Sequence, residues 1–117
     1  MLPEIVYKIT GFEEWDAALE TGEYYGSPVD LRDGFIHFST AAQARETATK
    51  HFAGRNDLLL ISVATQPMAR HFRMEKSRGG AEFPHLYAKL PVAHAIEWQE
   101  LPLGENGVHI FPDGFAR

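Results

Sequence analysis

Leu58-Leu59-Leu60-Ile61-Ser62-Val63 is an almost unbroken apolar run. A run of this kind suits a central strand covered on both faces. Toward the N-terminus, Thr40-Ala41-Ala42-Gln43 has the spacing of a capping box, and Ala44, Thr47, Ala48 and Phe52 continue a helix that Ala53-Gly54 ends. Before it, Phe35-Ile36-His37-Phe38 forms a short strand within Gly34 to Ser39, entered through the turn pair Asp33-Gly34. Ile5 to Thr10 alternate, with Ile5, Tyr7 and Ile9 on one face and Val6, Lys8 and Thr10 on the other, as in a half-buried strand. A helix follows: Thr10 caps it, Glu13 and Glu14 suit its positive end, Phe12, Trp15, Ala18 and Leu19 fall on one stripe, and Gly22 stops it. The stretch from Tyr24 to Asp30 is broken by Gly26, Ser27 and Pro28 and reads as an ordered loop with two aromatic rings, the kind of loop that lines sites.

Toward the C-terminus, Met68 to Phe72 suits a helical turn and Phe72 to Lys76 a strand with Phe72 and Met74 inward. Ser77 to Pro84 reads as a loop, His85 to Leu90 alternates, Pro91 opens a short turn, and Ile96 to Leu101 forms another strand. Asn106-Gly107 marks a tight turn before a possible edge strand. Early helices between short strands, then a strand-rich second half, predict an α+β domain spanning residues 1–117. A doubly wound dinucleotide fold is excluded, since no Gly-x-Gly-x-x-Gly follows the first strand and no Gly-Lys-Ser/Thr loop occurs.

The chain has 117 residues, enough for one core that buries roughly two thirds of the unfolded surface. It has no cysteine, which rules out disulfides, thiolate metal sites and thiol nucleophiles. Its net charge of -5 argues against general nucleic-acid coating, though a local basic pocket is compatible with it. No apolar run approaches the ~20 residues of a membrane span and no leader is visible, so a cytoplasmic protein is expected.

Six histidines stand out in so short a chain. His37, before Ser39 and Thr40 at a helix start, puts an imidazole, two hydroxyls and free backbone N–H groups where an anion or a ribose could bind; internal hydrogen bonding and capping are the alternative. Ser77-Arg78-Gly79-Gly80 offers a forked cation beside two permissive backbone units, suited to a carboxylate or phosphate, or else forms a surface turn. His85 and Tyr87 follow on a short strand. Glu75 precedes the Arg-Gly-Gly loop, and Asp30 and Asp33 precede the His37 strand, so either region could supply a general base or orient a ribose. Asp33 is also the natural turn residue before Gly34, and Glu75 could form a surface ion pair with Lys76 or Arg78. His51 at a helix end favours the dipole. His71, His94 and His109 lack a chemical context. No metal site is expected, because neither His-x-x-x-His nor an acidic calcium loop is present.

Tyr7-Lys8-Ile9-Thr10, Trp15, Gly22-x-Tyr24-x-Gly26-Ser27, Asp33 to Thr40, His51-Phe52-Ala53-Gly54, Ser77-Arg78-Gly79-Gly80 and Phe83-Pro84-His85-Leu86-Tyr87 together resemble the bacterial and plant family called domain of unknown function 952. The resemblance runs from about Val6 to Leu101. That family is grouped with the ADP-ribosyltransferase superfamily, which implies split, mainly antiparallel sheets holding NAD in a cleft, here with two N-terminal helices. More distantly the chain is similar to RNA 2′-phosphotransferases, with Tyr7 to Thr10 at their Tyr-His-Gly-Thr strand, Ile36 to Ser39 at their Val-His-Leu-Ser strand, and Leu58 to Val63 at the later hydrophobic strand. Lys8 and Ile9 depart from that pattern, replacing a histidine that helps hold the ribose and a glycine whose backbone holds the nicotinamide amide. No carboxylate carries over to the superfamily's catalytic glutamate position.

The resemblance implies action on NAD or a related nucleotide, with His37 and Arg78 in the chemistry and Glu75 as an electrostatic partner. The ligand-binding set then comprises Lys8, Thr10, Tyr24, Ser39, Thr40, His51, Gly79, Gly80, His85 and Tyr87. Lys8, His37, Arg78 and His85 would form an electropositive cleft. NAD enters as a substrate rather than a resident cofactor. The alternative is a non-catalytic module that binds a nucleotide or small anion. A third reading is a partner-binding role with Tyr24-Tyr25 as the contact surface.

Overall fold

The computed structural model describes residues 1–77 and 79–115. Its elements in order are β1 (Ile5–Gly11), α1 (Phe12–Thr21), β2 (Glu23–Tyr24), α2 (Pro28–Asp33), β3 (Ile36–His37), α3 (Ala44–His51), β4 (Leu58–Ala64), a 3-10 segment (Gln66–His71), β5 (Phe72–Lys76), β6 (Glu82–Leu86), β7 (Leu90–Pro91), a second 3-10 turn (Val92–His94) and β8 (Ala95–Glu100). They form three antiparallel sheets, ordered β1-β4-β8, β2-β7 and β3-β6-β5. The fold is α+β, as expected. Among the described residues no helix is long and apolar enough to cross a membrane.

The apolar run becomes β4, the middle strand of the first sheet, and both its faces are covered. Ile61 and Val63 join a core with Val6, Trp15, Tyr24, Phe38, Leu86 and others. Leu58 and Leu60 face the opposite way into a second core with Ile9, Ala44, Ala48, Leu101 and Phe111. Each such side chain contributes about 1.5–3 kcal/mol when removed from water. β1 shares the two faces, which corrects the half-buried reading. Val6, Lys8 and Thr10 all lie on the first-core side, and all three are buried.

Three boundaries differ from expectation for local reasons. Thr10 stays in β1, and Gly11 takes the N-cap of α1, where its N–H donates to Glu14 Oε1 at 3.0 Å. The supposed loop overlaps β2 and a further helix, so among the described residues three α-helices form rather than two. In α2, Ser27 is the N-cap, Pro28 opens the first turn, and Asp30 accepts from the Ser27 N–H at 2.9 Å. Ser-Pro-x-Asp is itself a helix-start signal, in which the proline opens an element rather than breaking one. Finally, Glu82–Leu86 pairs with β5, so the loop shortens to a hairpin turn in which Ser77 N–H donates to Ala81 O at 3.0 Å.

One stitch positions the site. Tyr7 and Ser39 exchange backbone hydrogen bonds, each of 2.8 Å, and this bridge ties β1 to the segment leaving β3. Lys8 is thereby brought behind His37, whose carbonyl accepts from Nζ at 3.0 Å.

Candidate functional site

The sheet β3-β6-β5 has an inner and an outer face. Ile36, Phe38, Leu86 and Phe72 point into the first core. Alternation places Phe35, His37, His85, Tyr87, Arg73 and Glu75 on the other face. His37 and His85 are direct partners in the β3–β6 ladder, with ring centroids 5.3 Å apart. Phe35 stacks on His85 at 4.2 Å, lies 4.6 Å from His37 and 5.1 Å from Tyr87.

Each imidazole is backed by a carboxylate. His37 Nδ1 lies 2.6 Å from Asp30 Oδ1, and His37 Nε2 lies 3.1 Å from Asp33 Oδ2. His85 Nδ1 lies 2.9 Å from Glu75 Oε1, which also accepts from the Tyr87 hydroxyl at 2.6 Å. Asp30 is the hub. Besides His37 Nδ1 and Ser27 N–H it accepts from the His37 N–H at 3.1 Å and from Lys8 Nζ at 2.7 Å, which fills its acceptor sites. Burial alone would raise this carboxyl, but the hydrogen bond from His37 and the Lys8 cation hold it well below the usual carboxylate range. Burial lowers the Lys8 ammonium from its ordinary value, with Asp30 pulling in the opposite direction. The Tyr87 hydroxyl, then His85, lower Glu75 and keep it ionised. Arg32 does the same for Asp33.

Beside this network lies a shallow cleft of ≈ 280 Å³, lined by Tyr25, Leu31, Phe35, Tyr87 and Lys89 among others. Lys89 pairs with Glu23 at 3.2 Å, and its ammonium sits 5.8 Å from the Tyr25 ring. Among the described residues no three His, Cys, Asp or Glu side chains gather to hold a metal ion.

The structure brings together four of the sequence-predicted residues, His37, His85, Glu75 and Tyr87, and places Lys8 behind them. Lys8 is no free cation in a cleft. It is 5% exposed and its charge is matched by Asp30. Thr10 and Tyr24 are core residues, joined by a 3.0 Å hydrogen bond from the Tyr24 hydroxyl. Ser39 is buried with its hydroxyl 2.8 Å from that of Thr47. The Thr40 N–H donates to Gln43 Oε1 at 3.0 Å, half of the anticipated box. His51 is exposed at the end of α3, and no described hydrogen bond joins it to the imidazoles. Gly79 and Gly80 form the β5–β6 turn, both at φ 86°. That turn begins beyond Lys76–Glu82, three ladder steps from the Arg73–His85 pair and so about 10 Å along the strands. Arg78 lies outside the described residues.

Sequence reading missed Asp30 as the organising residue and Phe35 as the ring packed on both imidazoles. Asp30 sits three residues after Ser27, the spacing at which a helix-start carboxylate reaches back to its cap. For Phe35 no local signal exists. His109, unexplained by sequence, lies with Nε2 2.7 Å from the Arg55 carbonyl and has a structural role.

The family model for a protein of unknown function, DUF952, matches residues 9–98. The chain belongs to the DUF952 family. The crystal structure of protein CC0527 from Caulobacter crescentus is 46% identical, aligns with a TM-score of 0.86, and the match covers 91% of this chain and 93% of that one. A crystal structure of the same protein with two methionine substitutions gives the same figures. The solution structure of CC0527 aligns with a TM-score of 0.82 over 91% of each chain, again at 46% identity. No match is found among curated proteins. The DUF952 assignment thus rests on both sequence and fold, and it carries no activity with it.

Proposed function

We propose that this DUF952 protein handles NAD or a related nucleotide at the cleft beside His37 and His85, as an ADP-ribosyltransferase-like enzyme. One observation carries the reading: two carboxylate-backed imidazoles, 5.3 Å apart on paired strands, stand next to a cleft with aromatic walls. Tyr25, Phe35 and Tyr87 offer flat apolar faces to a planar heterocycle. Glu75, lowered by the Tyr87 hydroxyl and His85, puts a negative charge on the same face as the two imidazoles, of the sign that favours an oxocarbenium-like centre. The split antiparallel sheets agree with the superfamily resemblance. Arg78 retains its proposed role as holder of an anionic group.

The test is titration with millimolar NAD, followed by backbone amide spectra and by assay of free nicotinamide. Amides of His37, Phe35, His85 and Tyr87 are expected to shift, and nicotinamide release to disappear in His37→Ala with the fold intact. If no amide on this face moves, the reading is lost.

A second reading has its own support. Lys8 stands where the distant relatives have their first histidine, and its lock on Asp30 leaves it unable to hold a ribose. This favours a module that binds a nucleotide or small anion without turnover. It predicts the same amide shifts with no nicotinamide released.

A further inference from the structure

We propose that the two facing imidazoles have different roles: His85 is the proton acceptor of the site, through Nε2, and His37 is a ring held in place at both of its nitrogens. The assignment follows from what each ring nitrogen meets. Glu75 is ionised and can only accept, and its Oε1 takes both the Tyr87 hydroxyl and His85 Nδ1. The proton on that contact therefore belongs to His85 Nδ1, and in the neutral ring the lone pair is on Nε2. Nε2 is buried and has no hydrogen-bond partner among the described residues, although polar groups in such places are ordinarily paired. The ring is 4% exposed and lies under Phe35, which itself lines the cleft.

His37 stands in a different field. Acceptor-only carboxylates face both its nitrogens, Asp30 at Nδ1 and Asp33 at Nε2, so neither nitrogen is open to a substrate. Lys8 and Arg32 are the cations packed against those carboxylates, and Arg73 is the cation whose field reaches Glu75. His37 thus has a partner at each ring nitrogen, while His85 leaves Nε2 without one.

The substrate step rests on the function proposed above. A water or acceptor hydroxyl gives its proton to His85 Nε2 as its oxygen bonds to the anomeric carbon. The C–N bond breaks with its electron pair passing to the nicotinamide ring, which leaves neutral and needs no proton. His85 then returns the proton to solvent. Glu75 acts here as a positioning residue.

Long-range proton–nitrogen spectra of the imidazoles in the full chain at neutral pH test the assignment without any ligand. The expected result is a single His85 form with Nδ1 protonated and Nε2 bare. A proton on His85 Nε2 overturns it. Glu75→Gln, whose side chain both donates and accepts, is expected to give a mixture of His85 tautomers; an unchanged single tautomer overturns the role of Glu75. In the presence of NAD, His85→Asn keeps a donor toward Glu75 but has no Nε2, and nicotinamide release is expected to fall about 100-fold or more with the Tyr25 and Phe35 shifts retained. Unchanged release rejects His85 as acceptor. If NAD neither binds nor reacts, the proposed function fails, and the ligand-free spectra still decide the His85 tautomer.

Discussion

Lys8 Nζ donates to Asp30 Oδ2 at 2.7 Å, and both side chains are shut away from water. This single contact joins the first strand to the second helix and, through the other carboxylate oxygen, to His37. Removing one partner leaves a buried charge without its complement. Asp30→Ala is expected to cost about 3–5 kcal/mol, read as a lower urea midpoint with unchanged slope. Combining it with Lys8→Met should show non-additivity of about 1–3 kcal/mol. Additive losses would show that the two charges do not act as a pair.

Gly26 makes room for that hub. Its φ is +111°, and a Cβ there would sit 2.6 Å from Asp30 Cβ. Gly26→Ala combines a strained backbone with a clash against a residue that cannot retreat without breaking its contacts. A loss of about 2–4 kcal/mol is expected, the backbone strain being about 1–3 of it, together with a shift of the His37 amide resonance. A thermal melt like that of the parent would overturn this account.

Acid should weaken the fold through the same carboxylates. The Asp30 carboxyl is depressed in the folded chain, so its stabilisation is complete above its unfolded value of about 4 and is lost as pH falls through the folded value. Asp33 and Glu75, lowered in the same direction, add to this trend. The urea midpoint should therefore be lower at pH 3 than at pH 6, with Asp30→Asn flattening that difference. An equal acid limb in the variant would assign acid sensitivity to other groups.

Tyr87 reports on Glu75. The Glu75 carboxylate raises the Tyr87 phenol above its ordinary value by accepting its hydrogen bond. In Glu75→Gln, phenolate absorbance attributable to Tyr87 should appear at lower pH, and Tyr87→Phe should remove that component altogether. Since Tyr87 is 42% exposed, its replacement should change stability by less than about 1 kcal/mol.

In the core, Tyr24→Phe should cost about 1–2 kcal/mol, because the Thr10 hydroxyl loses its buried partner. Replacing Thr10 by Val in the same chain is expected to recover part of that loss. Equilibrium unfolding of the two single variants and the double variant checks both statements.

The strands and helices were legible wherever one residue pattern repeats. Leu58 to Val63, the stripe of Phe12, Trp15 and Ala18, and the stop at Gly22 have the meaning in the structure that spacing assigns them. Pro28 misled because the same residue breaks one element and opens the next, and only the Ser27 and Asp30 side chains distinguish the two. The β1 face misled for a related reason. Lys8 and Thr10 are polar in sequence but buried in the fold, since Asp30 and Tyr24 satisfy them from distant segments.

The sequence by itself determined the α+β class, the central strand and the candidacy of His37, His85, Glu75 and Tyr87, because alternation and turn chemistry are local and motifs are contiguous. Only the tertiary structure decided that His37 and His85 face each other, that Asp30 rather than Lys8 organises the site, and that Gly79-Gly80 turns away along the hairpin. Pairing register and the neutralisation of a buried charge depend on groups far apart in the chain, and no spacing along one segment records which of them will meet.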